Sequence, residues 1–599
     1  MTKEKYPIET VRHSTAHILA AAVMELFPGT KLGVGPVIPN GFFYDFDLPR
    51  PLTPADLLKL EKRMRQIIAR GDAFVREEMP LGEAIDFFEK RNQPYKVELL
   101  RDLRSKGTTK VRSEESQDVD AGRPEVASVY RTGQFVDLCR GPHVATSKDI
   151  GVFRLTKIAG AYWRGSEKNP MLTRIYGLAF GAETELKDFL AMMEEAERRD
   201  HRKLGAELDL FMISPEVGMG LPLWLPKGAF IRKQMEDFVR GMEEAAGYQY
   251  VYTPHIARKH LYEISGHWQH YRDSMYAPLD IEGEEYLLRP MNCPHHIEIY
   301  RHEQRSYRDL PLRIAEFGTV YRFEKSGELF GLTRVRGFTI NDAHIFCTEE
   351  QIKKEVIAVM DLVKKVYSAF GFKDYWMRLS LRDPRDTEKY IADPKMWDRA
   401  EDAMRAALAA RKAKYVSAEG EAAFYGPKID FQFRDALGRE FTASTVQLDF
   451  NLPEKFGLEY VGSDGAKHRP VLIHRAPLGS VERVFAFLIE HHAGAFPLWL
   501  SPVQVQVIPV GLKHLRPARS LGKELKGAGI RAAVDEGRDT VGYKIRKSEK
   551  QKIPYMLVIG DKEAKGRTLT VRIRGKQKTI SMTRKAFIAR VLKEAERKR

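Results

Sequence analysis

Two histidines one helical turn apart, His13 and His17, are the first residues of this chain whose types and spacing suggest chemistry. On a helix they share one face. Far along, Asp137-Leu138-Cys139 leads to His143, which adds a Cys-x₃-His pair. Read from the residues alone, His-x₃-His with Cys-x₃-His is a metal site. Cys293, His344 and His474 are the same donor types, but spacing does not connect them. Each singly reads as a core cysteine or a buried histidine. A third signal is cationic. Arg322 and Glu324 lie close together, Arg334 and Arg336 follow, and Gly479-Ser480-Val481-Glu482-Arg483 opens a helix after a strand. The chain has no G-x-x-x-x-G-K-[ST] loop and no strand-borne G-x-G-x-x-G. Any nucleotide must therefore be held by side chains, for which rigid, permanently charged guanidinium forks suit phosphate.

Elements that could position these groups follow from periodicity and punctuation. Residues 14–27 read as an apolar helix stopped by Pro28-Gly29, and residues 42–46 as a strand after the Asn40-Gly41 turn. Residues 54–70 read as an amphipathic helix with Leu57, Leu58, Met64, Ile67 and Ile68 along one side. Residues 183–203 read as a connecting helix. Helices at 230–246 and 349–370 then alternate irregularly with strand-like runs at 248–252, 429–433 and 471–473. Tyr321–Glu324 and Arg334–Phe338 read as strand, loop and strand. This is an α+β pattern, not a doubly wound sheet. From Ser501 onward strands (503–509, 530–534, 554–560) alternate with helices (516–528 and a basic one at 543–551), which predicts a small α/β domain with a parallel or mixed sheet.

The chain has 599 residues, enough for roughly three or four domains. It is 43% hydrophobic and 30% charged, which excludes disordered and membrane compositions. No apolar run reaches the about 18 residues of a membrane span, and residues 1–10 lack the apolar core of a secretory signal. The cysteines are Cys139, Cys293 and Cys347 only, an odd number that does not form a disulfide framework; the expected location is the cytoplasm. The net charge of +16 favours a polyanionic partner, with clusters at Lys544–Lys552 and Arg597–Arg599.

Three segments resemble motifs of the class II aminoacyl-tRNA synthetases: Gly247–Pro254 after a long helix, Arg322–Glu324 with Arg334–Arg336, and Gly479–Arg483. Between them, Arg289-Pro290-Met291-Asn292-Cys293-Pro294, Phe338–Phe346 and Val471–Ala476 are similar to the metal-ligand segments of the threonyl-tRNA synthetases. The resemblance covers almost the whole chain. It implies an antiparallel-sheet catalytic core between an N-terminal α+β editing domain and a C-terminal α/β anticodon-binding domain. The expected divisions are residues 1–182 for editing, 183–205 for a linker helix, 206–499 for catalysis and 500–599 for anticodon binding. The implied activity is threonine–tRNA ligation: ATP converts threonine to its adenylate, and the threonyl group passes to tRNA(Thr). Mischarged seryl-tRNA is then hydrolysed.

The same resemblance implies residue roles. Cys293, His344 and His474 would hold one Zn²⁺ per subunit, and Mg²⁺ would accompany ATP. Arg322 would meet the α-phosphate and carboxylate, Glu324 adenine and Arg483 the γ-phosphate, with Arg334, Thr445 and Ser480 completing the ATP site. Asp342 would hold the substrate ammonium beside Tyr425 and Gln447. The editing pocket would comprise His13, His17, Cys139 and His143 with Tyr44, Lys96 and Asp137. Glu563 and Arg572 would read anticodon bases. Partners would be threonine, ATP, tRNA(Thr) and a second copy in a homodimer, with no membrane. The chain departs from the family at Ile340 and Thr442, where glutamine is usual, and at His295, where glycine is usual; His295 is close enough to Cys293 to compete as a ligand. With His13 so early, the small ubiquitin-like domain that commonly precedes the editing domain is expected to be absent. Two other readings use the same motifs: an amino-acid ligase acting on another carrier, and a non-catalytic regulatory paralogue.

Overall fold

The computed structural model describes residues 5–107, 125–435 and 438–598. The first four residues of the N-terminal stretch and Arg599 of the terminal basic cluster lie outside the described residues. The chain divides into two compact units, Met1–Met192 and Met193–Arg599.

In the first unit the helix Ile8–Leu26 is buried from Thr10 to Val23, although that stretch includes His13, Ser14 and His17. It packs on an antiparallel sheet in which Gly41–Asp47 pairs with Met171–Phe180, and Met171–Phe180 with Val152–Tyr162. Asn40 takes a positive φ of 63°, as the turn before that strand requires. The helix Pro54–Arg70 has the bounds its sequence signals: a Thr53/Asp56 capping box, proline in the first turn, and Gly71 left-handed at the C-cap. Its face differs from expectation. Leu58 is 63% exposed, and the buried stripe is Asp56, Leu60, Met64 and Ile67. Leu57 and Leu58 cannot both face inward at 100° per residue, and Leu60 completes the i, i+4 spacing to Met64. A second sheet joins Phe74–Pro80, Val126–Thr132 and Phe135–Leu138, with helices Leu81–Lys90 and Pro94–Lys106 beside it in a shared core.

The second unit begins within the helix Glu183–Arg199. The predicted connecting helix does not run unbroken to residue 203. Asp200 takes a non-helical conformation and caps a new helix, His201–Glu207, by accepting from the Arg202 amide. The main sheet has eight strands in the order Gln249–Tyr250, Leu312–Tyr321, Gly337–Cys347, Val471–Ala476, Glu440–Asp449, Lys428–Arg434, Tyr375–Leu381 and Tyr415–Glu419. All pairs are antiparallel except the outermost pair at each edge. The predicted strand at 248–252 shrinks to Gln249–Tyr250 because it pairs on one side only, and Tyr252 is 81% exposed. Helices Pro226–Ala245, Ile352–Phe370 and Val481–His492 contribute Ile231, Met235, Val359, Val363, Phe485 and Ile489 to the core. Glu243 ties the first of these helices to the sheet. It forms a fully buried ion pair with Arg475 and also accepts from Asn341 and Tyr250. Removing one member of such a pair costs about 3–5 kcal/mol, because the other charge stays buried.

Beyond Ser501 a five-stranded mixed sheet runs in the order Ala532–Val534, Val505–Pro509, Tyr555–Ile559, Thr568–Ile573 and Ile580–Thr583. The first two pairings are parallel and the last two antiparallel. The basic helix is Val541–Lys550, capped by the Thr540 hydroxyl.

Candidate active site

His344 and His474 stand directly opposite each other on the adjacent strands Gly337–Cys347 and Val471–Ala476. Gln447, on the next strand, stands opposite His474. Register therefore places three polar side chains in one row on one face of the sheet. Cys293, the first residue of the helix Cys293–Arg301, enters this row from above. Its Sγ and one ring nitrogen from each histidine lie within 4.8 Å of one another, and all three residues are buried.

The hydrogen bonds select the free nitrogens. The Nε2 of His474 lies 3.0 Å from the Asp449 carboxylate, so Nε2 carries the proton and Nδ1 is bare. Among the described residues the Nε2 of His344 has no partner at all. A buried nitrogen without a partner is costly, and a cation at this position would satisfy it. Burial pushes the Cys293 thiol well above its ordinary pKa, and Asp342 and Asp449 add to that rise. A bound cation reverses this, because the thiolate is the ligand form. One thiol and two imidazoles thus fit a metal ion with an open position, the pattern of a functional zinc. His295 does not belong to this set. Both its ring nitrogens lack partners among the described residues, and its nearest aromatic neighbour is Tyr262, with ring centroids 6.4 Å apart.

Asp342 shares the face of His344, two residues back along the strand, and accepts from Asn292 at 3.1 Å. Burial raises its carboxyl pKa. The Tyr425 hydroxyl donates to Gln447, and its ring lies 5.2 Å from that of His474. Thr445, two residues from Gln447, donates to Asp430 at 3.1 Å. Thr442 accepts from Gln432 at 2.7 Å, and Ile340 bridges to Ser480.

Arg322 lies one residue beyond the strand Leu312–Tyr321, where the chain turns toward Gly337–Cys347. Its guanidinium stands 5.1 Å from the Phe338 ring and reaches the Met291 sulfur at 3.4 Å. Arg334 donates to Glu324 at 2.8 Å and to Glu328 at 2.9 Å. Arg483, in the first turn of Val481–His492, donates to the Thr333 carbonyl at 3.4 Å. The Ser480 hydroxyl accepts from the Arg483 amide and serves as the helix cap. The Arg483 pKa is lowered by burial first and then by the charges of Arg322 and Arg334. Arginines that repel one another in a partly desolvated cleft are arranged for a polyanion.

The second cluster lies in the first unit. His13, His17, Cys139 and His143 bring one donor atom each within 4.8 Å of one another. The Cys139 Sγ is 3.3 Å from the Nε2 of both His13 and His143. His13 Nδ1 lies 3.2 Å from the Pro142 carbonyl and must donate to it, which leaves Nε2 bare. Ser14 spends its proton on the Thr10 carbonyl, so His143 Nδ1 must donate to Ser14, and its Nε2 is bare as well. Burial lowers the pKa of all three histidines, most strongly for His17 and His143, and pushes the Cys139 thiol up to about 12. Near pH 7 the three imidazoles are neutral and the thiol keeps its proton. Beside them Lys96 pairs with Asp137 at 2.7 Å, and Tyr44 donates to Asp137 at 2.5 Å. His17 Nε2 lies 3.9 Å from Asp137. All seven residues singled out in the sequence therefore meet in one place.

The other candidates are less convergent. Glu563 accepts from Thr570 at 2.7 Å and from the Gly560 amide at 3.1 Å, so its carboxylate is engaged in a cap. Arg572 is half-buried on the strand Thr568–Ile573. Sequence reasoning missed His267, whose Nε2 lies 3.7 Å from the Cys293 Sγ. It also missed His296, Glu316 and Asp449; nothing in their spacing marks them.

An eight-stranded, mainly antiparallel sheet carrying a donor triad, with an arginine-lined loop and an arginine at a helix start, defines a class II aminoacyl-tRNA synthetase. Residues 276–492 match the family described as tRNA synthetase class II core domain (G, H, P, S and T). Residues 504–594 match the anticodon binding domain, and residues 127–176 the threonyl and alanyl tRNA synthetase second additional domain. The chain is 50% identical to the threonine–tRNA ligase of Anoxybacillus flavithermus over 98% of its own length and 89% of the relative. It is 49% identical to threonine–tRNA ligase 1 of Bacillus subtilis, with the same coverage. This chain belongs to the threonine–tRNA ligase family. Among solved structures it resembles the RNA binding domain of threonyl-tRNA synthetase from Cryptosporidium parvum, at 39% identity and TM-score 0.62, over 66% of this chain and 98% of that one. It also resembles a threonyl-tRNA synthetase, ThrRS-1, from Aeropyrum pernix, at 32% identity and TM-score 0.59, over 67% and 96%.

Proposed function

We propose that this chain activates threonine with ATP, transfers it to tRNA(Thr), and hydrolyses seryl-tRNA(Thr) at a separate site. The observation that carries this reading is the row of His344, His474 and Gln447, with Cys293 above it and Asp342 alongside. Cys293, His344 and His474 would hold a zinc ion, which would supply a Lewis acid for the polar groups of the substrate. Asp342 holds the substrate amino group, and Tyr425 with Gln447 closes the pocket around the side chain. Arg322 bridges the α-phosphate and the attacking carboxylate. Glu324 and Arg334 flank the adenine, Thr445 and Ser480 border the nucleotide, and Arg483 takes the γ-phosphate with Mg²⁺. The chemistry is positioning plus charge stabilisation.

A site built around a hydroxyl rejects valine by a factor on the order of 10⁴ or more, but discriminates against serine, one methyl smaller, by only roughly 10–200-fold. That shortfall is why the second cluster reads as a hydrolytic site. His13, His17, Cys139 and His143 position water at the ester carbonyl, with Tyr44, Lys96 and Asp137 completing the same pocket. The same reading assigns residues 1–182 to editing, 183–205 to a linker, 206–499 to catalysis and 500–599, with Glu563 and Arg572, to the anticodon. The expected location is the cytoplasm; no helix among the described residues is long and apolar enough to cross a membrane.

AMP release that depends on both threonine and tRNA tests the function. Threonine-dependent release that ignores tRNA would indicate ligation to another carrier, and no release at all a non-catalytic paralogue. We also expect a homodimer with an isologous interface built on residues 230–254. Tyr252, at 81% exposure, is the large apolar side chain of that segment left open to it among the described residues. An active monomer at micromolar concentration in sedimentation would refute the dimer.

A further inference from the structure

The two histidines of the donor triad are oriented by different devices. His474 reaches a carboxylate, Asp449, in one step. His344 does not. Its Nδ1 lies 2.8 Å from the Nδ1 of His296, so a single proton sits between two ring nitrogens. The other nitrogen of His296, Nε2, lies 3.2 Å from a Glu316 carboxylate oxygen. An ionised carboxylate only accepts, so this Nε2 carries a proton. A neutral His296 then has a bare Nδ1, which must accept from His344. That leaves the lone pair of His344 on Nε2, the atom that lacks a partner among the described residues.

The far end of the chain is fixed as firmly. Glu316 accepts from the Thr253 amide at 3.0 Å and from the Thr253 hydroxyl at 2.8 Å. Arg289 approaches it at 3.5 Å and also donates to Thr253 and to the Thr319 carbonyl. The His296 side chain is fully buried, and those of Arg289 and Glu316 are 1% and 4% exposed. The Arg289 charge offsets that of Glu316, so the relay fixes a proton without bringing net charge to His344. His296 follows Cys293 by three positions on one helix, which puts both on the same face. Its neighbour His295 is also buried but makes no bond through either nitrogen among the described residues.

We propose that His296 and Glu316 are positioning residues for His344: together they select its Nδ1–H tautomer and aim Nε2 at the metal. The proposal rests on the zinc reading of the triad. Outer partners of this kind tune metal affinity by about 10–100-fold when removed.

The test compares zinc affinity, by competition with a chromophoric chelator, across the full-length parent and four variants. His296→Phe keeps the ring volume and removes the acceptor. His296→Asn places an amide oxygen where Nδ1 was. Glu316→Gln keeps the shape but sets an N–H against a donor, His296 Nε2–H or a Thr253 donor. His295→Phe alters a buried histidine outside the relay. The expected result is an about 10–100-fold loss of zinc affinity in His296→Phe and in Glu316→Gln. His296→Asn should recover most of it, and His295→Phe should match the parent. KM for threonine should rise in His296→Phe with KM for ATP unchanged. If His296→Phe does not fold, the Glu316→Gln and His296→Asn pair carries the comparison. Parent-like affinity in both His296→Phe and Glu316→Gln would overturn the relay, as would a loss in His295→Phe equal to that in His296→Phe. A parent that binds no zinc would instead overturn the zinc reading itself.

Discussion

Replacing His344 with alanine should abolish threonine-dependent ATP–pyrophosphate exchange while leaving a folded protein. The buried Nε2 of His344 has no partner among the described residues, so its loss removes a ligand and not merely a contact. The effect should exceed the roughly 100-fold expected for losing an outer partner, because two remaining donors no longer hold the ion. The stability cost should stay within about 3 kcal/mol, the usual range for a single substitution. The change also removes a polar nitrogen that the apoprotein buries at a penalty. Chelation of the parent should reproduce the loss, and added zinc should restore activity in the parent but not in the variant. Threonyl-adenylate formation at the parental rate by metal-free protein would refute the assignment. Urea denaturation of the variant separates lost chemistry from lost fold.

The His13→Ala, His17→Ala double variant should threonylate tRNA at close to the parental rate and fail to clear seryl-tRNA. The two activities are assigned to different units, because every residue proposed for threonine activation lies in Met193–Arg599. Discrimination at the first site stops at roughly 10–200-fold for one methyl, so a variant without hydrolysis should accumulate seryl-tRNA at about that ratio when serine is supplied. The pH behaviour is a second signature. Burial lowers the pKa of His13, His17 and His143, so they stay neutral as the pH falls below 6.5, where an ordinary imidazole would protonate. Hydrolysis should therefore be nearly flat between pH 8 and pH 6. Preformed seryl-tRNA, given to parent and variant, provides the measurement; equal clearance would sink the editing assignment. Zinc in the isolated cluster, with activity lost to a chelator that spares threonylation, would favour the metal reading of these four residues.

Much of the local structure was legible in the sequence because its causes are local. Thr53, Pro54 and Gly71 bound the helix Pro54–Arg70, since a capping box, an N-terminal proline and a left-handed glycine act within a turn of where they stand. Asn40-Gly41 marks a turn for the same reason, and the i, i+4 spacing of His13 and His17 is enough to put them on one helix face. The residue types alone suggested grouping His13, His17, Cys139 and His143; the addition of Tyr44, Lys96 and Asp137, and the gathering of the zinc candidates, were reachable only through resemblance to a family, which carries three-dimensional information in another form.

What the tertiary structure alone decided is which distant residues meet and which atom of each is free. Cys293, His344 and His474 are separated by long stretches of chain, and they converge because antiparallel register sets His344 opposite His474 and a helix start delivers Cys293 above them. His296, Glu316 and Asp449 carry no spacing signal, because their roles are defined by a proton shared with a residue on another element. Leu58 shows the same limit in reverse: it looked like core by type, yet faces solvent because Leu60 fills the stripe. Local rules act through a few covalent bonds and are written in consecutive residues, whereas register, tautomer and burial are set by packing between elements and exist only once the chain has folded.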